Sequence, residues 1–170
     1  MKHMLRRGLS FLLCLVMLLP TLTAFATPQN HTQSDVTVAQ GITEDYRYPA
    51  VVNTGSDLLA VFEENGTDGI YASRSTNFGK TWSDPELVIS SGNSPDLFAA
   101  DGMIILTYYG NNNSGAWIHT SDDGGYSWSD AVKLESQILN LDISACTGAT
   151  QLENGDILFA CYGKGDATAT

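Results

Sequence analysis

The sequence predicts an all-β fold of the β-propeller type, and three observations carry the prediction. The segment Ser75-Thr76-Asn77-Phe78-Gly79-Lys80-Thr81-Trp82 recurs 46 residues later as Ser121-Asp122-Asp123-Gly124-Gly125-Tyr126-Ser127-Trp128. The same spacing carries Pro49 onto Pro95, Leu58-Leu59-Ala60-Val61-Phe62 onto Ile104-Ile105-Leu106-Thr107-Tyr108, and Gly69-Ile70-Tyr71 onto Gly115-Ala116-Trp117. Short apolar or alternating runs bounded by turn residues fill the chain, Asn154-Gly155 being the strongest hairpin signal. Beyond the amino-terminal leader no helical period competes with them.

Each unit reads as a short strand, a turn, an apolar strand, a polar loop, an alternating strand, and a tight turn into a fourth strand such as Glu86-Leu87-Val88-Ile89. Four antiparallel strands in about 45–50 residues fit one propeller blade. The second strands are apolar on both faces, as a sheet sandwiched between two others requires. A third unit starts at Thr147-Gly148-Ala149-Thr150-Gln151-Leu152, turns at Asn154-Gly155 and continues as Ile157-Leu158-Phe159-Ala160-Cys161. About two and a half blades are therefore expected over residues 44–170. A β-sandwich with irregular turns is the alternative, and the repeat speaks against it.

Residues 1–26 read as an export signal. Lys2, Arg6 and Arg7 precede an apolar run from Leu9 to Leu19, then Pro20 and the small-x-small triplet Ala24-Phe25-Ala26. The run ends well short of the roughly 20 apolar residues that a membrane span needs. Cleavage after Ala26 is expected, with residues 27–43 a lead-in to the first blade and the product secreted.

The chain has 8 Lys and Arg against 19 Asp and Glu, and three of the cations lie in its first seven residues. Loss of the leader leaves 144 residues with a formal charge of −14. This excludes a nucleic-acid partner, which needs clustered cations, and it would repel an anionic ligand except where cations gather locally. Beyond the leader the arginines are Arg47 and Arg74. There is no C-x-x-C, G-x-S-x-G or P-loop, and His31 and His119 have no partner at ligand spacing. Neither a metal nor a cofactor is expected; Asp122-Asp123 fails the EF-hand pattern and belongs to a turn. Cys146 and Cys161 are expected to lie diagonally across the Asn154-Gly155 hairpin on one face; a disulfide and a pair of buried thiols both remain open.

The eight-residue pattern S-x-D-x-G-x-[ST]-W is the Asp box, and the chain resembles the bacterial neuraminidase repeat proteins, whose best-known members are the exo-α-sialidases. The copy at 121–128 matches throughout; the copy at 75–82 carries Asn77 in place of Asp. The resemblance covers residues 40–165 and implies a six-bladed sialidase-like ring when complete. It implies that both boxes are rim turns serving the fold. Ser75, Asn77, Gly79, Trp82 and their counterparts Ser121, Asp123, Gly125, Trp128 are their structural positions. The carboxylate would accept backbone N–H bonds, the Gly would take positive φ, and the Trp would pack inside the blade.

Tyr46-Arg47-Tyr48-Pro49-Ala50 is similar to a Tyr/Phe-Arg-Ile-Pro-Ala stretch of sialidases, with Tyr48 in place of the Ile. The resemblance makes Arg47 one of three arginines that clamp the carboxylate of sialic acid, a bidentate task suited to guanidinium. It also implies a catalytic Asp, acting as general acid and base, in the loop after the second strand. Asp68, 21 residues beyond Arg47, is the candidate, with Glu63 or Glu64 as fallback. Asp96, beside Pro95, is a candidate contact to substrate hydroxyls. In the family the Tyr nucleophile, its Glu partner and two further clamp arginines lie in later blades, beyond Thr170. Arg74 precedes the first box and reads as rim-facing.

Two functions follow. One is the amino-terminal part of a secreted sialidase-like glycoside hydrolase that releases terminal sialic acids, catalytically incomplete in these 170 residues. The other is a non-catalytic Asp-box module that binds glycans or proteins. The expected partner is a sialylated glycan or other carbohydrate, with no membrane span after leader removal.

Overall fold

The computed structural model describes residues 35–40, 45–110, 115–136 and 141–165; the expected leader at 1–26 and most of the expected lead-in lie outside them. The described residues are all-β, with no helix, and form three antiparallel sheets. The first contains β1 (Tyr46–Asn53), β2 (Leu58–Glu64), β3 (Gly69–Ser75) and β4 (Glu86–Ile89), hydrogen-bonded in chain order. The second repeats this with β5 (Asn93–Ala100), β6 (Met103–Tyr109), β7 (Ala116–Ser121) and β8 (Val132–Lys133). The third pairs β9 (Leu141–Gln151) with β10 (Ile157–Gly165) across the Asn154-Gly155 turn. There Leu152 N donates to Asp156 O at 2.8 Å, and Gly155 has φ +89°.

The repeat extends to the backbone itself. β1 and β5 each skip register near their start, between Arg47 and Ala50 and between Asn93 and Asp96. In both bulges two residues oppose one, and the first of the two takes a left-handed conformation: Tyr48 at φ +49° and Ser94 at φ +51°. Such a conformation is costly for residues with a Cβ. Its recurrence 46 residues apart marks it as part of the unit's design.

Alternation along β2 and β6 assigns each side chain to a face. Leu59 and Val61, with Ile70 of β3, pack against Leu97, Ile104, Leu106 and Tyr108 of the second sheet to form the core. Burying one such side chain is worth about 1.5–3 kcal/mol. The opposite face of β6 carries Ile105 and Thr107, both buried, on the side where β9 runs. On that side Phe98 meets Phe159 edge-on, with ring centroids 5.9 Å apart. β5 lies against both β1 and β9, so the first strands of the three sheets adjoin one another.

The second sheet is thus covered on both faces; in the first, Ala60 and Phe62 are also buried on the side away from the second sheet, but the adjoining first strand is not. Leu97 is 6% exposed, whereas Val51, the equivalent residue of the first sheet, is 61% exposed. Around Val51 an apolar groove of about 480 Å³ is lined by Tyr46, Pro49, Ala60, Phe62 and Trp82, with residues 37–39 along one wall.

Thr107 occupies the position that Val61 holds in the first sheet, and its buried hydroxyl is without a hydrogen-bond partner among the described residues. Leu106→Ala is expected to cost about 2–5 kcal/mol through the cavity it opens. Thr107→Val removes an unpaired hydroxyl at constant shape and is expected to be neutral or stabilising. Urea denaturation of the two variants checks both; equal losses would mean that the Thr107 hydroxyl is paired.

Candidate functional site

Antiparallel order sends the loops of each sheet to two opposite ends of the stack. One end holds the two eight-residue turns. In the second, Asp123 Oδ1 accepts the Tyr126 and Ser127 amides, each at 2.9 Å, and the Ser121 hydroxyl at 2.7 Å, while Asp123 Oδ2 accepts the Ser127 hydroxyl at 2.5 Å. These bonds, led by those from Ser127, hold the Asp123 carboxyl far below its ordinary value. The first turn repeats the plan with an amide: Asn77 Oδ1 accepts Thr81 N at 2.9 Å, and Gly79 N donates to Ser75 Oγ at 2.8 Å. Gly79 and Gly125 have φ +81° and +89°, as expected for their positions. Trp128 packs against the inter-sheet core; Trp82 lines the open groove.

Arg74 has a role the sequence did not disclose. Its Nη2 donates to Gly124 O at 3.0 Å, its guanidinium lies 3.8 Å from the centroid of the Tyr126 ring, and its Nη1 is 3.5 Å from Asp57 Oδ2. Tyr126 Oη donates to the same Asp57 oxygen at 3.0 Å. Asp57 and Arg74 belong to the first sheet and Gly124 and Tyr126 to the second, so this cluster locks one sheet's turns to the next. Gly125 is required twice over, because a Cβ there would stand 2.5 Å from Leu59 Cδ2.

The opposite end gathers Arg47, Glu63, Asp68 and Asp96. Arg47 is exposed beside the β1 bulge and is the cross-strand partner of Glu63. Glu63 is almost fully buried, and its Oε2 accepts Ser94 N at 2.9 Å, so it tethers the second sheet's bulge to the first. Glu63, one of the fallback acids, is thus engaged with a backbone amide of the second sheet. Glu64 accepts the Thr67 hydroxyl at 2.9 Å and adjoins Tyr46 and Tyr71. Burial first, then Glu64, through its charge at Tyr46 and through a hydrogen bond and its charge at Tyr71, pushes both phenols up.

Asp68 is exposed in the β2–β3 loop with φ +54°, and its carbonyl accepts Gly92 N at 2.6 Å. Asp96 is half-buried on β5, where burial raises its pKa against the opposing effect of the Leu97 amide, which donates to Oδ1 at 2.9 Å. Burial of the Asp96 carboxyl favours its protonated form. Neither the Arg47 guanidinium nor the Asp68 carboxylate is engaged in a hydrogen bond or ion pair among the described residues. Among those residues no group of three or more His, Cys, Asp or Glu is placed to hold a metal, and no helix is long and apolar enough to cross a membrane.

No family model and no curated protein matches the chain. A solved structure, that of a protein of unknown function from Dyadobacter fermentans DSM 18053, shares the fold with a TM-score of 0.61 at 19% identity. The match covers 74% of this chain and 49% of that one, so this chain spans about half the length of that structure.

Because the Asp123 pKa is lowered in the folded state, its contribution to stability is present above the ordinary carboxylate value near 4 and is lost as pH falls further. Melting temperature measured from pH 6 down to pH 2 is expected to fall less steeply in Asp123→Asn, whose amide reproduces the Asn77 turn. Parallel curves for the variant and the parent would remove Asp123 from the acid response.

Proposed function

We propose that this chain is the amino-terminal part of an exported, sialidase-like β-propeller glycoside hydrolase, and that Arg47 receives the carboxylate of an acidic sugar. The observation that carries the reading is the state of the two arginines. Arg74 is consumed between the turns, whereas Arg47 is presented to solvent from a strained bulge with its donors unspent among the described residues. In a chain this acidic, an exposed guanidinium at a loop end is the natural seat for an anion. The propeller ring is supported by the contrast between Leu97 and Val51: the first-strand position that is buried in the second sheet is exposed in the first, as expected where another sheet would pack.

Under this reading Asp68 delivers and recovers the proton of the leaving group, and Asp96 contacts substrate hydroxyls. Its exposure favours a second reading, a non-catalytic module that holds sialylated glycans or proteins, since a general acid ordinarily works from a desolvated pocket.

Kinetics of the protein that contains this chain distinguish the two. For the enzyme, Arg47→Ala is expected to raise KM for a sialoside by roughly 10-fold or more with kcat little changed. Asp68→Asn is expected to lower kcat by about 10²- to 10⁴-fold, less for leaving groups that need no protonation. Sialoside binding that depends on Arg47, without turnover, would establish the module instead. Wild-type KM in Arg47→Ala would overturn both. The 170-residue chain by itself is expected to be inactive, because one free guanidinium cannot form a three-armed clamp.

A further inference from the structure

We infer that Cys146 and Cys161 are a covalent cross-linking site, joined as a disulfide by exchange with a small-molecule disulfide. The two are direct cross-strand partners in the β9–β10 hairpin, rather than the diagonal neighbours expected from the sequence. Opposed residues of an antiparallel pair have Cα atoms about 4.5–5.5 Å apart, inside the window a disulfide spans. Their Sγ atoms lie 2.6 Å apart. Nonbonded carbon atoms already rest at about 3.5–4.0 Å, and sulfur is larger, so the side chains are aimed at each other at bonding range. Register shifts flank the pair on both sides, between Phe159 and Cys161 and between Tyr162 and Gly163. They give the backbone room to adopt the cross-link geometry.

The difference in exposure orders the chemistry. Cys161 is exposed and Cys146 is buried. The Cys161 thiolate attacks one sulfur of the small disulfide, forming a mixed disulfide and expelling one thiolate. Cys146 then gives its proton to solvent, its sulfur attacks that of Cys161, and the second small thiolate leaves. Two protein thiols are oxidised and one disulfide is reduced to two thiols. The second step is the slower, because burial, the neighbouring Cys161 and the charge of Asp96 push the Cys146 thiol up to about 12. The third sheet has two strands among the described residues. A lone hairpin is marginal in water, so the cross-link stabilises the least supported sheet of the stack.

The test exposes the chain to glutathione disulfide at about pH 8, folded and in urea, followed by alkylation and cleavage at Glu153, which separates the two cysteines. The expected product is a peptide pair linked through Cys146 and Cys161, with Cys14 mapped separately. It should form roughly 100-fold faster or more in the folded chain than in urea, reflecting preset proximity. Cys146→Ser should arrest at a stable glutathione adduct on Cys161, and Cys161→Ser should leave Cys146 unmodified. Both thiols still open to alkylation after exhaustive exposure, an adduct on Cys161 alone in the parent chain, or a cross-link forming no faster when folded would each overturn the inference.

Discussion

Everything in this molecule depends on burying both faces of the second strand in the first two sheets. Leu59 and Val61 on one side of β2, and Leu106 and Ile105 on opposite sides of β6, cannot be hidden by a single sheet or by a hairpin. Only a neighbouring sheet at each face removes them from water, so the units must stack, and stacking in turn dictates where polar groups go. Charges and loops are driven to the two ends. At one end the Arg74, Asp57, Tyr126 and Gly124 cluster fixes the spacing between sheets. At the other, Glu63 and the carbonyl of Asp68 hold the incoming second sheet through the amides of Ser94 and Gly92. The candidate site is built on this second seam.

That placement gives Arg47 its character. The bulge in β1 ends the regular ladder just where the strand reaches the end of the stack, and Tyr48 takes up the strain. A bulge re-aims side chains and recurs near functional sites. Here the same bulge in β5 presents Asn93 at the corresponding position, so the unit supplies the geometry and a single residue supplies the charge. Glu63 lies opposite in register but is engaged with Ser94, and the Arg47 guanidinium has no ion-pair partner among the described residues.

The fold was legible because the repeat constrains chemistry twice. The turn pattern, the apolar second strands and the Asn154-Gly155 hairpin all report local geometry, and local geometry repeats with the sequence. Of the candidate site, the sequence named Arg47, Asp68 and Asp96, which the fold brings to one end of the stack. Contacts between units left no such mark. Arg74 looked like a rim residue because its partners Gly124 and Tyr126 lie 50 and 52 positions away, and Glu63 looked like a loop acid because its bond is to a backbone amide 31 positions on. Cys146 and Cys161 were misplaced by one step of register because β-bulges, invisible to residue spacing, shift the hairpin pairing.

The central claim, that the first strand is covered by the stack in the second sheet and exposed in the first, is tested most directly by comparing thiol accessibility at Val51 and Leu97. Each is replaced singly by cysteine in a chain carrying Cys14→Ser and Cys161→Ser, and the rate of maleimide labelling is mapped by peptide mass. The stack predicts that the Val51→Cys thiol labels at nearly the rate of a free peptide, whereas the Leu97→Cys thiol labels at least about 100-fold more slowly, limited by opening of the core. Equal rates at the two positions would contradict it.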